Sequence, residues 1–275
     1  MNAMSVRRAC VGKLGLCAGW CLLGLGLTQS AWAQCSPQEL AKLVAADGGE
    51  SDLFGSGVAT DGDTMVFGAP KADSDVGADT GAVYVFSPWG TEWTQTAKLT
   101  ASDGEAGDAF GVDVAVQGNT VLVGAHRASR VGAEHTGAAY VFVRSDGTWM
   151  EQAKLTSVAA LPGDWFGRIV ALDGDTALIG SFEKVRVGGE GPGSAYVFVR
   201  SGDSWAEQAK LTASDGSPGD GFGSDVELSG DSALIGAYSD QVGQATWAGS
   251  AYVFVRSGTA WTEQARLTAA DAMPF

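Results

Sequence analysis

Cysteine is scarce: the 275 residues contain four, and Cys10, Cys17 and Cys21 fall in the first 33, leaving Cys35 alone. A chain with one remaining thiol has no internal disulfide, so its stability must come from packing. Histidine is scarcer still, with only His126 and His135 and no cysteine near them, too few nitrogen and sulfur ligands for a zinc site. The only asparagines, Asn2 and Asn119, lack Ser or Thr two residues on, so there is no glycosylation sequon. Positive charge is in deficit, with 17 Lys and Arg against 32 Asp and Glu. A net charge of −15 argues against nucleic acid and anionic membrane as partners, because both need a basic footprint. No ten-residue window carries a helical apolar stripe, and neither a nucleophile elbow nor a recurring Ser, His and Asp set occurs.

The longest apolar run, residues 14–27, follows Arg7, Arg8 and Lys13 and precedes Ala31-Trp32-Ala33. This pattern is that of a secretory signal peptide spanning 1–33, cleaved between Ala33 and Gln34. The run is short for a membrane span, so no membrane insertion is expected after cleavage. Neither Cys21 nor Cys35 has the preceding Leu and small residues of a lipoprotein signal. Loss of the leader removes three positive charges and no acids, taking the net charge from −15 to −18. The expected location is secreted, periplasmic or cell-surface.

What is abundant is repetition. Phe-Gly falls at 54, 110, 166 and 222, a period of 56 residues without drift. Gly-Ala or Gly-Ser follows at Gly68, Gly124, Gly180 and Gly236, Tyr-Val-Phe at Tyr84, Tyr140, Tyr196 and Tyr252, and a tryptophan at Trp93, Trp149, Trp205 and Trp261. The units run at about 44–99, 100–155, 156–211 and 212–267, with 268–275 opening a truncated fifth, and together they make one domain over 34–275. Each reads as four strands. In the second unit these are A at 111–116, B at 120–125, C at 138–144 and D at 148–155, with glycine-containing polar steps such as Gln117-Gly118-Asn119 as tight turns. Strand C is apolar on both faces and needs cover on both sides. The expected fold is therefore all-β: a β-propeller of four-stranded antiparallel blades. Residues 39–43 repeat the end of strand D, so they either complete the last blade or compete with its own D strand; a fragment of a larger, incomplete ring is the favoured reading.

These motifs resemble the bacterial FG-GAP repeat family, related to the propeller of integrin α subunits, over residues 38–275. In integrin-like members a calcium loop lies between Phe-Gly and Gly-Ala-Pro. Here that interval holds only a short turn such as Asp61-Gly62-Asp63, too few oxygens for the six to eight that calcium takes, so no cofactor is expected and calcium is doubtful. Only the first unit has the complete Gly68-Ala69-Pro70; the third position is His126, Phe182 and Tyr238 in the others.

Residues that recur read as framework. Asp52, Asp108, Asp164 and Asp220, each two places before Phe, satisfy backbone donors, and the periodic tryptophans pack between blades. Residues that break the repeat are the better ligand contacts: Trp165, which stands where other units have Leu53, Ala109 or Gly221, and Trp247, His126, Arg127 and Arg130 on the long B to C loops. Asp73, Asp75 and Asp79 have a spacing that suits a cation, although a solvated acidic loop explains it as well. The reading is a non-catalytic binding module whose long-loop face takes an extracellular protein or glycan. Two alternatives stay open, a secreted polysaccharide-acting enzyme using loop carboxylates and a structural repeat segment of a larger secreted protein.

Overall fold

The structure is a computed structural model and describes residues 4–7, 39–129, 135–182 and 191–271. It is all-β. After a short antiparallel pair, β1 (Met4–Arg7) and β2 (Glu39–Leu43), come four antiparallel sheets, each built by one sequence unit in simple order. The first holds β3 (Val58–Asp61), β4 (Thr64–Ala69), β5 (Ala82–Trp89) and β6 (Glu92–Leu99). The second holds β7 (Val114–Gln117), β8 (Thr120–Ala125), β9 (Ala138–Ser145) and β10 (Thr148–Leu155). The third holds β11 (Ile169–Asp173), β12 (Thr176–Ser181), β13 (Ser194–Ser201) and β14 (Ser204–Leu211), and the fourth β15 (Phe222–Ser229), β16 (Ser232–Ala237), β17 (Ser250–Ser257) and β18 (Ala260–Thr268). No helix among the described residues is long and apolar enough to cross a membrane.

The sheets stack face to face as propeller blades. Their first strands touch one another in sequence, β3 to β7 to β11 to β15, and line a central groove. One face of each blade carries an aromatic set: Phe110 meets Tyr140 and Phe142 at ring-centroid distances of 5.4 and 5.9 Å, and Phe166 and Phe222 repeat the arrangement. That face packs on the aliphatic face of the preceding blade. Phe110, Tyr140 and Phe142 share one cluster with Val66, Val83, Val85 and Leu99 of the first blade, and the third and fourth blades repeat the pairing. Burial of both faces explains why the third strands are apolar throughout.

Strand A is shorter than its sequence suggests. In the second unit it begins at Val114, not Gly111, because Gly111, at φ 87°, leaves the ladder: its N–H donates to Gly124 while Gly124 donates to Asp113. Phe110 meanwhile donates to Thr80 of the preceding blade and bridges Gly81. The approach is too close for a side chain, since a Cβ on Gly68 would lie 1.9 Å from the Gly111 carbonyl oxygen. Phe-Gly is thus an inter-blade fastener. On the tight-turn end, Asp61 accepts from the Gly118 N–H, Gln117 from that of Gly174, and Asp173 from that of Gly230, so each turn holds the next.

The fourth blade departs from the pattern. Leu122 and Leu178 are fully buried and Leu155 and Leu211 nearly so, but their equivalents Leu234 and Leu267 are 43% and 50% exposed. No further blade covers this face among the described residues. The strand expected at 39–43 is present as β2, yet it pairs with β1 and does not join the fourth sheet; its Leu43 is buried against Phe54, Phe67 and Tyr84 of the first blade. β1 itself lies inside the segment that reads as a leader.

Candidate functional site

The recurring polar residues are occupied by the framework. The side chains of Asp52, Asp108, Asp164 and Asp220 accept from the backbone N–H three residues earlier, at 2.6, 2.9, 2.8 and 2.6 Å. Trp205 and Trp261 donate to Gln152 and Gln208 on the outer strand of the preceding blade. Arg144, Arg200 and Arg256 lie over Trp149, Trp205 and Trp261, and the latter two reach back to Thr120 and Thr176 of the blade before.

The long-loop end is different. There the Gly-Ala-Pro-equivalent loop of one blade lies over the residue preceding Phe-Gly in the next, which brings His126 and Trp165 together with ring centroids 5.5 Å apart. Trp165 also meets Phe182 at 5.9 Å, and Phe182 meets Tyr238 at 6.2 Å, so three departures from Pro70 join one aromatic arc. Beside it opens a cleft of about 460 Å3 across the first three blades, lined by Lys71, Asp79, Asp113, His126, Arg127, Trp165 and Arg168.

Electrostatics in this cleft depart from the rest of the chain. His126 is 6% exposed, and its Nδ1 has no hydrogen-bond partner among the described residues. Burial, reinforced by Arg168 and Arg127, lowers its pKa to about 3, so the ring is neutral. Burial pushes the Asp113 carboxyl up to about 6, against the opposing bond that its Oδ2 accepts from Val170 N–H at 2.8 Å. Lys71, Arg127 and Arg168 make no ion pair among the described residues.

Of the residues singled out from sequence, Trp165, His126 and Arg127 converge here. Arg130 lies outside the described residues. Trp247 is 81% exposed and lines a separate, more acidic cleft in the fourth unit with Asp220, Asp240 and Arg266. Asp73, Asp75 and Asp79 do not gather as ligands: Asp73 accepts from the Asp79 backbone N–H at 3.0 Å, while Asp79 lines the aromatic cleft. Among the described residues no group of three or more His, Cys, Asp or Glu side chains could hold a metal ion. Sequence reading missed Arg168 and Asp113. The signal was present, because Arg168 is the lone charge at a position held by Ser56, Val112 and Ser224, but it follows directly on a framework motif and lies on no long loop.

A family model described as FG-GAP repeat matches four times, at residues 37–86, 93–142, 149–198 and 205–254. No curated protein matches the chain. Among solved structures, a candidate 6-phosphogluconolactonase from Bacteroides uniformis is similar at a TM-score of 0.52 with 14% identity, over 79% of this chain and 57% of that one. Sqt1 of Saccharomyces cerevisiae aligns at a TM-score of 0.46 and 8% identity, over 80% and 49%. This chain therefore spans little more than half the length of the first of these, and at such identity the likeness concerns the fold alone.

Proposed function

The chain belongs to the FG-GAP repeat family, and from that premise we propose that it is an exported, non-catalytic propeller module that binds an extracellular protein or glycan through its long-loop face. One observation carries this reading. The recurring motifs are occupied by packing and fastening, whereas Trp165, His126 and Arg127, which break the repeat, line a single cleft drawn from neighbouring blades. The leader-like N-terminus supplies the argument for export. Purified protein incubated with cell surfaces and extracellular polymers is expected to be retained, and Trp165→Ala with Arg127→Gln to lose retention. Equal retention of the double variant would overturn the reading.

A second reading rests on Asp113, whose raised pKa suits a general acid in a polysaccharide-acting enzyme. Turnover on a glycan panel that disappears in Asp113→Asn would establish it over plain binding.

A further inference from the structure

We propose that the long-loop cleft binds the terminal acidic residue of a saccharide, holding its carboxylate or sulfate among Lys71, Arg127 and Arg168 while a sugar ring lies against Trp165. The proposal rests on the binding role assigned to this face and names its ligand class.

Charge is the first ground. In this acid-rich chain five basic side chains of the blade edges are matched to carboxylates, Lys98 to Asp47, Lys154 to Asp103, Arg200 to Asp175, Arg256 to Asp231, and Arg266 to Asp215 and Asp240, while Arg144 bonds to Asn119 and Lys210 lies over the Tyr196 ring. The three cations of the cleft have no such partner among the described residues, and Arg168 is only partly exposed. Lys71 and Arg127 are exposed, and the acids Asp79 and Asp113 line the same cleft, so the three cations outnumber the acids there and leave it a positive excess that an incoming anion can use. A second, independent sign is His126, more than nine-tenths buried and lining the same cleft with an unpartnered Nδ1. A ligand hydroxyl is the simplest group to satisfy it.

Trp165 supplies the third ground. It sits at φ 54°, a left-handed conformation that the repeat imposes at this position and that Leu53, Ala109 and Gly221 share in the other blades. The fold therefore accepts a small side chain here. The indole adds an apolar surface continuous with His126 and Phe182, the kind of ledge on which the C–H face of a sugar packs. An acidic peptide carries its carboxylates on flexible arms and has no rigid ring to use that ledge. A long polyanion would have to cross a surface of net charge −15, so the ligand presents an acidic end group and not an extended charged chain.

The cleft also holds two acids, Asp79 and Asp113. Asp113 faces Arg168, which favours its charge, and Asp225 on the fourth blade's first strand, which opposes it; Asp79, Lys71, Arg127 and the neutral His126 are the other titratable or charged groups of the cleft. Protonation of Asp113 on acidification removes a negative charge from the cleft, so anion binding should tighten as pH falls through about 6.

Isothermal titration with cellobiouronic acid and with cellobiose, which differ by one carboxylate, tests the proposal. The acid is expected to bind about tenfold or more tighter than the neutral sugar, and tighter at pH 5 than at pH 7.5. Arg168→Gln and Arg127→Gln should each weaken it by about fivefold. Trp165→Ala should weaken both sugars without unfolding the protein, because Ala109 already occupies that conformation. Equal affinity for the two sugars, no binding of the acid, or tighter binding of a hexaglutamate peptide would each overturn the proposal. If the acid fails while the Trp165 and Arg127 changes still abolish retention on cell surfaces, the ligand class is wrong and the binding role stands. If retention is also unaffected, both fall.

Discussion

Leu178 and Leu234 occupy the same repeat position, on second strands of the same sequence pattern, yet Leu178 is fully buried between the third and fourth blades and Leu234 is 43% exposed. Truncating each to alanine compares one chemistry in two environments. Leu178→Ala removes three carbons from a closed site and leaves a cavity, at a cost of about 3 kcal/mol. Leu234→Ala removes the same atoms from a surface that water can reach. About half of the transfer term is lost and no cavity forms, for a cost of about 1 kcal/mol. The difference of about 2 kcal/mol is well above the error of urea unfolding followed by tryptophan fluorescence. In thermal melts it corresponds to roughly 4–8 °C for a domain of this size. Leu211→Ala against Leu267→Ala, 4% and 50% exposed, repeats the comparison on the outer strand. Measurements at about 1 μM and again about a hundredfold higher separate the monomer from any association. Equal costs within each pair at the low concentration would refute the reasoning, because they would mean that the fourth blade's aliphatic face is covered in solution.

Other expectations concern titration and the unit that breaks the pattern. Asp113 has its folded-state pKa raised to about 6, so the folded protein holds that proton more tightly than the unfolded chain, and its ionisation lowers stability as pH rises from about 4 through 6. Asp113→Asn, which can still accept from Val170, should be more stable than wild type at pH 7.5, with the gap closing towards pH 4; a gap independent of pH contradicts the assignment. His126 has the opposite sign. Its folded pKa is depressed to about 3, so the unfolded chain takes up the proton first and stability falls as pH drops below about 6.5. His126→Phe, which installs the side chain that the third unit carries as Phe182, should flatten the decline in melting temperature between pH 7 and 5, and an unchanged slope would count against it. In the third unit Ala159 replaces the aspartate that serves Tyr140 and Lys154 as Asp103, and Tyr252 and Arg266 as Asp215. Tyr196 Oη therefore has no carboxylate beside it at that position, only the Ser157 and Ser194 hydroxyls nearby, and Lys210 keeps only its position over the Tyr196 ring at 5.4 Å. Ala159→Asp should stabilise by about 1 kcal/mol, read as a rise of roughly 2–4 °C, and the gain should vanish when Lys210→Ala and Tyr196→Phe are added.

The boundary between what was legible in the chain and what was not follows the range of the interactions. The tight turns, the four strands of each unit and the buried third strands are set by nearest neighbours: glycine at positive φ in turns, β-branched and aromatic runs, polar breaks. A single unit displays all of them, and the fourfold recurrence of Phe-Gly, Gly-Ala and Tyr-Val-Phe marks these residues as framework. Strand A starts later than the residue pattern suggests because each unit makes a bulge at its Phe-Gly glycine: Gly55, in a blade with none before it among the described residues, has the positive φ and the bond to Gly68 that Gly111 repeats with Gly124. What no single unit displays is the use of that bulge, the bond from Phe110 to the Thr80 carbonyl and the close passage at Gly68.

The site divides in the same way. That Trp165, His126 and Arg127 are irregular is a property of the sequence alone. That they meet, with Arg168 and Asp113 beneath them, depends on stacking one blade on the next, because no single unit contains both His126 and Trp165. The exposure of Leu234 and Leu267 is likewise invisible in a repeat that writes the same residues four times. Burial belongs to a residue and its neighbour, and only the tertiary structure shows that the fourth blade's aliphatic face has no neighbour among the described residues.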